Sequence, residues 1–203
     1  MPFDQIVIRS LSGYLFFAPG LAVYCLVLAR MGKRQPRLHT LTLFVFGYYL
    51  IGVFTVTGIK AFEAFAPRLA LVPFVDMVRG PVDTALNVVL FVPLGVFVPL
   101  LYGRFRCIGR TAAAGALLSL TVEVVQLFGM GATDINDLLT NTAGTLLGYG
   151  LFALLARCSG RTGLRAFRAA GADAAELLLL TGYALLVMVT VQPVFIRTLF
   201  GLG

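Results

Sequence analysis

Long, mostly apolar stretches recur along this chain, and they constrain its fold more than any other feature. A helix needs about 20 such residues to cross the roughly 30 Å hydrocarbon core of a bilayer. The candidate spans are residues 11–30, 40–59, 86–103, 111–130, 137–156 and 177–200. Hydrophobic residues make up 59% of the chain and charged residues 12%, which excludes an ordinary soluble domain. The sequence therefore predicts an all-α, polytopic membrane protein with about six transmembrane helices.

The basic residues predict how these helices are oriented. Most of them lie in short loops at 30–37, 104–110 and 157–168. These loops alternate along the chain, so the positive-inside rule places all of them in the cytoplasm and both termini outside. The net charge of +7 is thus explained by topology and does not indicate nucleic-acid binding. The anionic inner leaflet would also attract the 157–168 run.

The sequence predicts a single membrane domain over residues 1–203. A helical hairpin at 11–59 comes first, and a helix at 177–200 closes the chain. Residues 60–85 contain apolar positions on one side of a short helix, interrupted by prolines. This pattern is typical of a helix on the outer membrane surface or of a re-entrant element, and both interpretations stay open.

The number and placement of the cysteines and of the histidine argue against disulfide bonds and against histidine-based metal or catalytic sites. Cys25 is predicted in the first span, and Cys107 and Cys158 in cytoplasmic loops, with no CxxC pair and no implied disulfide framework. His39 is the only histidine, and it is predicted in the first basic loop. A histidine-based metal site or catalytic triad is therefore not expected, and we expect no cofactor.

A polar cluster interrupts the apolar pattern between Glu123 and Asn141, without a single Lys or Arg. In the fourth span Ser119, Glu123 and Gln126 occur at i, i+4 and i+7, so they share one helix face. Glu123 lies about 18 Å from the cytoplasmic end of its helix, which places it past the middle of the bilayer, toward the outer leaflet. Ionisable residues at such depths are costly, and they are candidates for function.

The fifth span repeats this one-sided pattern. Asp134 is a predicted helix cap, and Asp137 in the first turn also favours the positive end of the helix dipole. Asp137, Asn141, Gly144 and Gly148 then recur at i, i+4, i+7 and i+11, again on one face. The spacing Gly144-x-x-x-Gly148 is the small-residue pattern that lets membrane helices approach closely.

Together these spacings predict a polar pocket that is open to the extracytoplasmic side. The fourth and fifth spans form a hairpin, and the third delivers Asn87 to the same depth. The predicted pocket residues are Asn87, Glu123, Gln126, Asp134, Asp137 and Asn141. The two aspartates are also explained as helix caps, the two asparagines as interhelical hydrogen bonds, and the glycine pair as packing. Capping does not explain Glu123, so we interpret it as ligand-facing.

The same residues resemble the signature blocks of the VanZ-like family. The blocks are Asn87…Phe91-x-Pro93-x-Gly95, Glu123-x-x-Gln126 and Asp134-x-x-Asp137-x-x-x-Asn141-x-x-Gly144-x-x-x-Gly148. The resemblance covers about residues 72–152 and implies a VanZ-like core there. The family often has a basic residue shortly before the third block, where this chain has Gly-Met-Gly-Ala at 129–132.

The resemblance implies a bacterial inner-membrane protein, linked in some family members to glycopeptide resistance of the teicoplanin type. The resemblance indicates where in the cell the protein acts, but it does not indicate a biochemical reaction. Membrane lipids are the expected partners, and the chain could also form a homo-oligomer.

Several functions fit the predicted pocket. The first is a non-enzymatic envelope protein that binds a lipid-linked cell-wall precursor, a lipid head group or a lipoglycopeptide. The second is an intramembrane enzyme acting on a lipid or cell-wall fragment, with Glu123 as general acid or base and with Asp134 and Asp137 holding a divalent metal. The sequence shows no clear nucleophile, so this second function has weaker support. The third is a small lipid transporter or flippase with Glu123 as a proton-coupled carboxylate. A structural subunit of a larger complex is a further alternative.

Overall fold

Among the residues that it describes, a computed structural model of the chain contains six helices, or helix pairs, that are long and apolar enough to cross a membrane. The structure describes residues 3–33, 35–59, 69–70, 80–128, 133–169 and 174–200. Apart from one two-residue strand pairing, the regular structure in these segments is helical. The predicted polytopic, all-α membrane architecture is confirmed.

The helices follow the predicted spans, but each begins earlier than predicted, and the second, third and fourth also end earlier. The helices are α1 (Phe3–Arg30), α2 (Arg37–Val56), α3 (Pro81–Leu101), α4 (Ile108–Gln126), α5 (Ile135–Gly163), α6 (Ala174–Val189) and α7 (Val191–Phe200). Short 3₁₀ turns lie at Gly103–Phe105 and Arg165–Phe167. The span predicted at 177–200 is thus two helices, interrupted at Thr190. Pro193 explains the interruption, because it has no N–H for the carbonyl of Val189 and its ring crowds that carbonyl.

Most of the outer segment predicted at 60–85 lies outside the described residues. Within it, the described strand β1 (Leu69–Ala70) pairs in parallel with β2 (Thr133–Asp134), with Leu69 opposite Thr133. A pairing this short carries no period-2 pattern, so the sequence did not indicate it. Helix α3 begins earlier than predicted because Pro81 suits the first position of a helix, where no N–H is needed.

The chain forms two compact units. Unit 1 comprises Met1–Phe62 and Ala166–Gly203, and unit 2 comprises Glu63–Arg165. Unit 1 therefore contains α1, α2, α6 and α7, whereas unit 2 contains α3, α4 and α5. The single membrane domain that the sequence suggests stays a prediction.

The core of unit 1 is aromatic and aliphatic. Phe17 of α1 is fully buried, and its ring stacks on that of Tyr183 of α6, with 5.1 Å between the ring centroids. A Cβ at Gly47 would overlap the Phe17 ring, so this glycine lets α2 pack closely against α1. Phe46 and Phe54 of α2 complete the buried aromatic layer.

His39 lies buried in the first turn of α2, so its predicted place in a loop is wrong. Its Nδ1 donates to the carbonyl oxygen of Phe167 at 2.8 Å, and its Nε2 lies 3.3 Å from Oε1 of Glu176. Tyr24 and Gln35 donate to the other oxygen of Glu176, at 2.9 and 3.3 Å. The sequence did not reveal this network because Glu176 is 137 residues from His39.

In unit 2, helices α3 and α5 touch through their backbones. A Cβ at Gly144 would overlap the carbonyl oxygen of Val88, and one at Gly148 would overlap the carbonyl oxygen of Val92. A Cβ at Gly95 of α3 would likewise overlap the backbone of α5. The close helix approach predicted from the glycine spacing is therefore confirmed, and its partner is the third span.

We predict that Gly144→Ala destabilises the protein, whereas Gly150→Ala on the same helix does not. A Cβ at Gly150 meets nothing within 4 Å, so that substitution changes helix propensity without a clash. Overpacking at Gly144 should cost about 2 kcal/mol. Thermal unfolding of the purified variants in detergent measures both effects, and equal unfolding temperatures would contradict the backbone contact.

The exposed cysteines test the predicted orientation. Cys107 and Cys158 are both exposed. The backbone N–H groups of Arg110 and Gly109 lower the pKa of the Cys107 thiol below its ordinary value, so this thiol should be the faster to react near neutral pH. If the basic loops are cytoplasmic, a membrane-impermeant maleimide labels neither cysteine in intact spheroplasts and labels both after permeabilisation.

The matched probe is Phe128→Cys, since Phe128 is exposed just beyond the opposite end of α4. In a background without the native cysteines, it should react in intact spheroplasts. The reverse labelling pattern would show that the topology is inverted.

Candidate functional site

Glu123 and Asp134, two of the predicted polar residues, meet where α4 ends and α5 begins. Glu123 lies in the last turn of α4 and is 4% exposed. Its Oε2 accepts the backbone N–H of Asp134 at 2.8 Å. The interpretation that capping cannot explain Glu123 is therefore wrong. The α4–α5 hairpin places its carboxylate against an N–H ahead of α5, where backbone donors have no partner within the helix.

Asp134 caps helix α5, as the sequence predicts. Its Oδ1 accepts the backbone N–H and the side-chain amide of Asn136, both at 2.8 Å. Asn136 is 3% exposed, and it was not among the predicted pocket residues. Its place two residues after a capping aspartate is the local signal that could have identified it.

Asn87 ties α3 to α5, which the sequence did not specify beyond placing both in one pocket. Its side-chain amide donates to Oδ1 of Asp137 at 2.6 Å. Asp137 lies in the first turn of α5. The pair therefore joins α3 to the first turn of α5.

Asn141 joins α5 to α4 one helical turn deeper. Its amide donates to Oγ of Ser119, which is fully buried, at 2.9 Å. Asn141 itself is 3% exposed, and its Oδ1 is buried without a hydrogen-bond partner. Ser119 was assigned to this helix face but not to the pocket. Gln126, the last residue of α4, is half-buried.

We call Asn87, Glu123, Asp134, Asp137 and Asn141 the acidic cluster, because three of these five side chains are carboxyl groups. Asp137 and Asp134 both repel the charge of Glu123, and Asp83 at the start of α3 adds to the repulsion at Asp137. Within the described segments, neither Asp134 nor Asp137 forms an ion pair with Lys or Arg. Such a cluster attracts hydrogen-bond donors and cations.

Across the described part of the chain, no group of three or more His, Cys, Asp or Glu side chains is arranged to hold a metal ion. Instead, Glu123 and Asp134 direct carboxylate oxygens at the backbone donors that open α5.

A family model described as VanZ/LLP1 matches residues 16–156, which is more than half of the chain. This chain belongs to the VanZ/LLP1 family. The family resemblance carried by the three sequence blocks is therefore confirmed. The match contains every predicted pocket residue and reaches well beyond the core predicted at 72–152, through α2 and into α1.

Protein VanZ of Enterococcus faecium is similar to this VanZ/LLP1 family member, with 45% identity over 71 residues. The aligned region is 34% of this chain and 42% of that protein, so this chain spans less than half the length of that relative. No solved structure matches the chain.

Substitutions at Glu123 should separate its capping role from its charge. Glu123→Gln keeps an oxygen that can accept the Asp134 N–H and removes one of the mutually repelling charges, so the free energy of unfolding should change by less than about 0.5 kcal/mol. Glu123→Ala leaves that N–H without its acceptor and should cost about 1–3 kcal/mol. Thermal unfolding in detergent measures the difference, and equal losses in both variants would contradict the capping role.

Proposed function

We propose that this VanZ/LLP1 family member is a bacterial inner-membrane envelope protein that binds a lipid-linked cell-wall precursor through the acidic cluster. Lipid head groups and lipoglycopeptides are the related ligands that the same chemistry would accept. Binding would contribute to glycopeptide resistance of the teicoplanin type or to envelope homeostasis. The cluster faces the extracytoplasmic side in this proposal, where such ligands lie.

The observation that carries this proposal is the unused acceptor at Asn141. Its amide nitrogen is committed to Ser119, while its Oδ1 is buried without a partner. A buried acceptor without a donor costs about 1–3 kcal/mol, so native structures rarely keep one without a reason. A ligand donor that reaches Oδ1 would remove this cost.

Charge selects which part of a ligand would bind. The carboxylates of the acidic cluster favour ammonium, amide and hydroxyl donors and disfavour phosphate or carboxylate groups. In a lipid-linked precursor, the sugar hydroxyls and peptide amides are therefore the groups expected at the cluster. The pyrophosphate would lie away from it.

The cluster also has the rigidity that recognition requires. Asn87 and Asp137 are joined across α3 and α5, and Glu123 holds the turn between α4 and α5. The side chains that would contact a ligand are thus fixed by helices that already touch through their backbones. A preformed site loses little conformational entropy on binding.

The test is direct binding of lipid-linked precursor to the purified full chain in nanodiscs. Asp137→Asn preserves the shape of the side chain and removes its charge, and it should weaken binding about 10-fold, as expected for one hydrogen bond to a charged group. Asn141→Leu should weaken it similarly by removing the unused acceptor.

Asp4→Asn is the matched control, because it removes the same charge from an exposed residue of α1, outside the cluster. It should leave affinity within about 2-fold, a change of less than 0.5 kcal/mol. Teicoplanin susceptibility of cells expressing each variant should follow the same order. Equal binding by wild type, Asp137→Asn and Asn141→Leu would overturn the proposal. Tighter binding of a lipid with an amine head group than of the lipid-linked precursor would keep the binding site but identify the lipid head group as its ligand.

A further inference from the structure

Arg9 is a buried cation in unit 1 that the acidic cluster and its proposed ligand leave unexplained. It lies on α1 and is 6% exposed. Its Nε is buried without a hydrogen-bond partner. The ion pair found among the described residues joins His39 to Glu176, so no described carboxylate neutralises Arg9. The acid nearest to it in sequence, Asp4, is exposed.

Gln192 is the polar neighbour of Arg9. It lies on α7, is fully buried, and donates through Nε2 to the carbonyl oxygen of Arg9 at 3.4 Å. The same carbonyl accepts the hydroxyl of Ser12 at 3.0 Å. The Oε1 atom of Gln192 is buried and has no hydrogen-bond partner. A guanidinium donor and an amide acceptor are therefore both left unsatisfied where α1 meets α7.

The position of Arg9 along α1 sets its depth in a membrane. From Arg9 to Arg30 the helix rises about 32 Å at 1.5 Å per residue, close to the roughly 30 Å thickness of the hydrocarbon core. With Arg30 at one edge of that core, Arg9 lies at the other edge. The head-group region, which contains the lipid phosphates, begins at this edge and lies within reach of a long side chain such as that of arginine.

A buried guanidinium without an anion is costly, and phosphate oxygens match its planar array of donors. We propose that Arg9 and Gln192 form a binding site for a phosphate oxyanion, supplied by a phospholipid head group at this membrane surface. Arg9 donates to the phosphate oxygens, and Oε1 of Gln192 accepts a hydroxyl or amine from the same head group. The site does not depend on the acidic cluster, which has the opposite charge and selects the opposite kind of group.

The competing explanation is that Arg9 simply extends its charged end into interfacial water, as arginines near helix ends do. Arg197 supplies the comparison. It is an exposed arginine on α7, the helix that also carries Gln192. A general electrostatic attraction to lipid would involve Arg197 at least as much as Arg9, whereas a built site would involve Arg9 alone.

The experiment measures thermal unfolding of the purified, delipidated full chain in a non-ionic detergent. Phosphatidylglycerol in mixed micelles should raise the unfolding temperature of wild type by several degrees, because a ligand that binds the folded state stabilises it. Diacylglycerol, which has the same acyl chains without phosphate, should not. Arg9→Gln should abolish the rise, and Arg197→Gln should keep it.

Inorganic phosphate distinguishes the two sources of the anion. If inorganic phosphate raises the unfolding temperature as much as phosphatidylglycerol does, the oxyanion site exists but its ligand is a free anion. Equal protection of wild type by phosphatidylglycerol and diacylglycerol would overturn the proposal. Equal loss of protection in Arg9→Gln and Arg197→Gln would also overturn it.

A second measurement covers the case in which Arg9→Gln does not fold. Native mass spectrometry of wild type should show one phosphatidylglycerol retained at collision energies that strip the others. Arg9→Lys keeps the charge but loses the planar array of donors, so it should lose that lipid at lower energy. Retention of lipid by Arg9→Lys as strong as in wild type would contradict the specific guanidinium contact.

Discussion

The backbone contact between α3 and α5 is the constraint on which unit 2 depends. Three glycines, Gly95, Gly144 and Gly148, remove the Cβ atoms that would hold these helices apart. In a bilayer, where lipid is as apolar as the side chains, such close packing is a main source of helix association. The same contact fixes the helices in register, so that Asn87 meets Asp137. The geometry of the acidic cluster is thus a consequence of glycine spacing.

The two units differ in how their buried polar groups are hydrogen-bonded. In unit 1, His39 and Glu176 satisfy each other with the help of Tyr24 and Gln35, so this network is explained by folding. In unit 2, Glu123 satisfies a backbone donor but remains beside two further carboxylates. Among the buried atoms of the described residues that lack a hydrogen-bond partner are Oδ1 of Asn141, Nε of Arg9, and Oε1 of Gln35 and of Gln192.

Glu123 has a structural role in the turn between α4 and α5, and the proposed function would give the same side chain a second role. One oxygen caps the turn ahead of α5, which accounts for an acceptor at this position but not for a charge. A neutral glutamine could accept the same N–H. A charge on Glu123 is costly beside Asp134 and Asp137, and in the proposed function it would favour ligands with hydrogen-bond donor groups.

Local patterns in the sequence determined the six spans, the cap at Asp134, the close approach at Gly144 and Gly148, and the family, because apolar length and helical spacing act within a few turns. Tertiary structure alone decided which groups meet across the fold. Examples are the Glu123 contact with the Asp134 backbone, the His39–Glu176 pair, and the Gln192 contact with Arg9 across 183 residues. Such contacts depend on how distant helices pack, and no local periodicity encodes that.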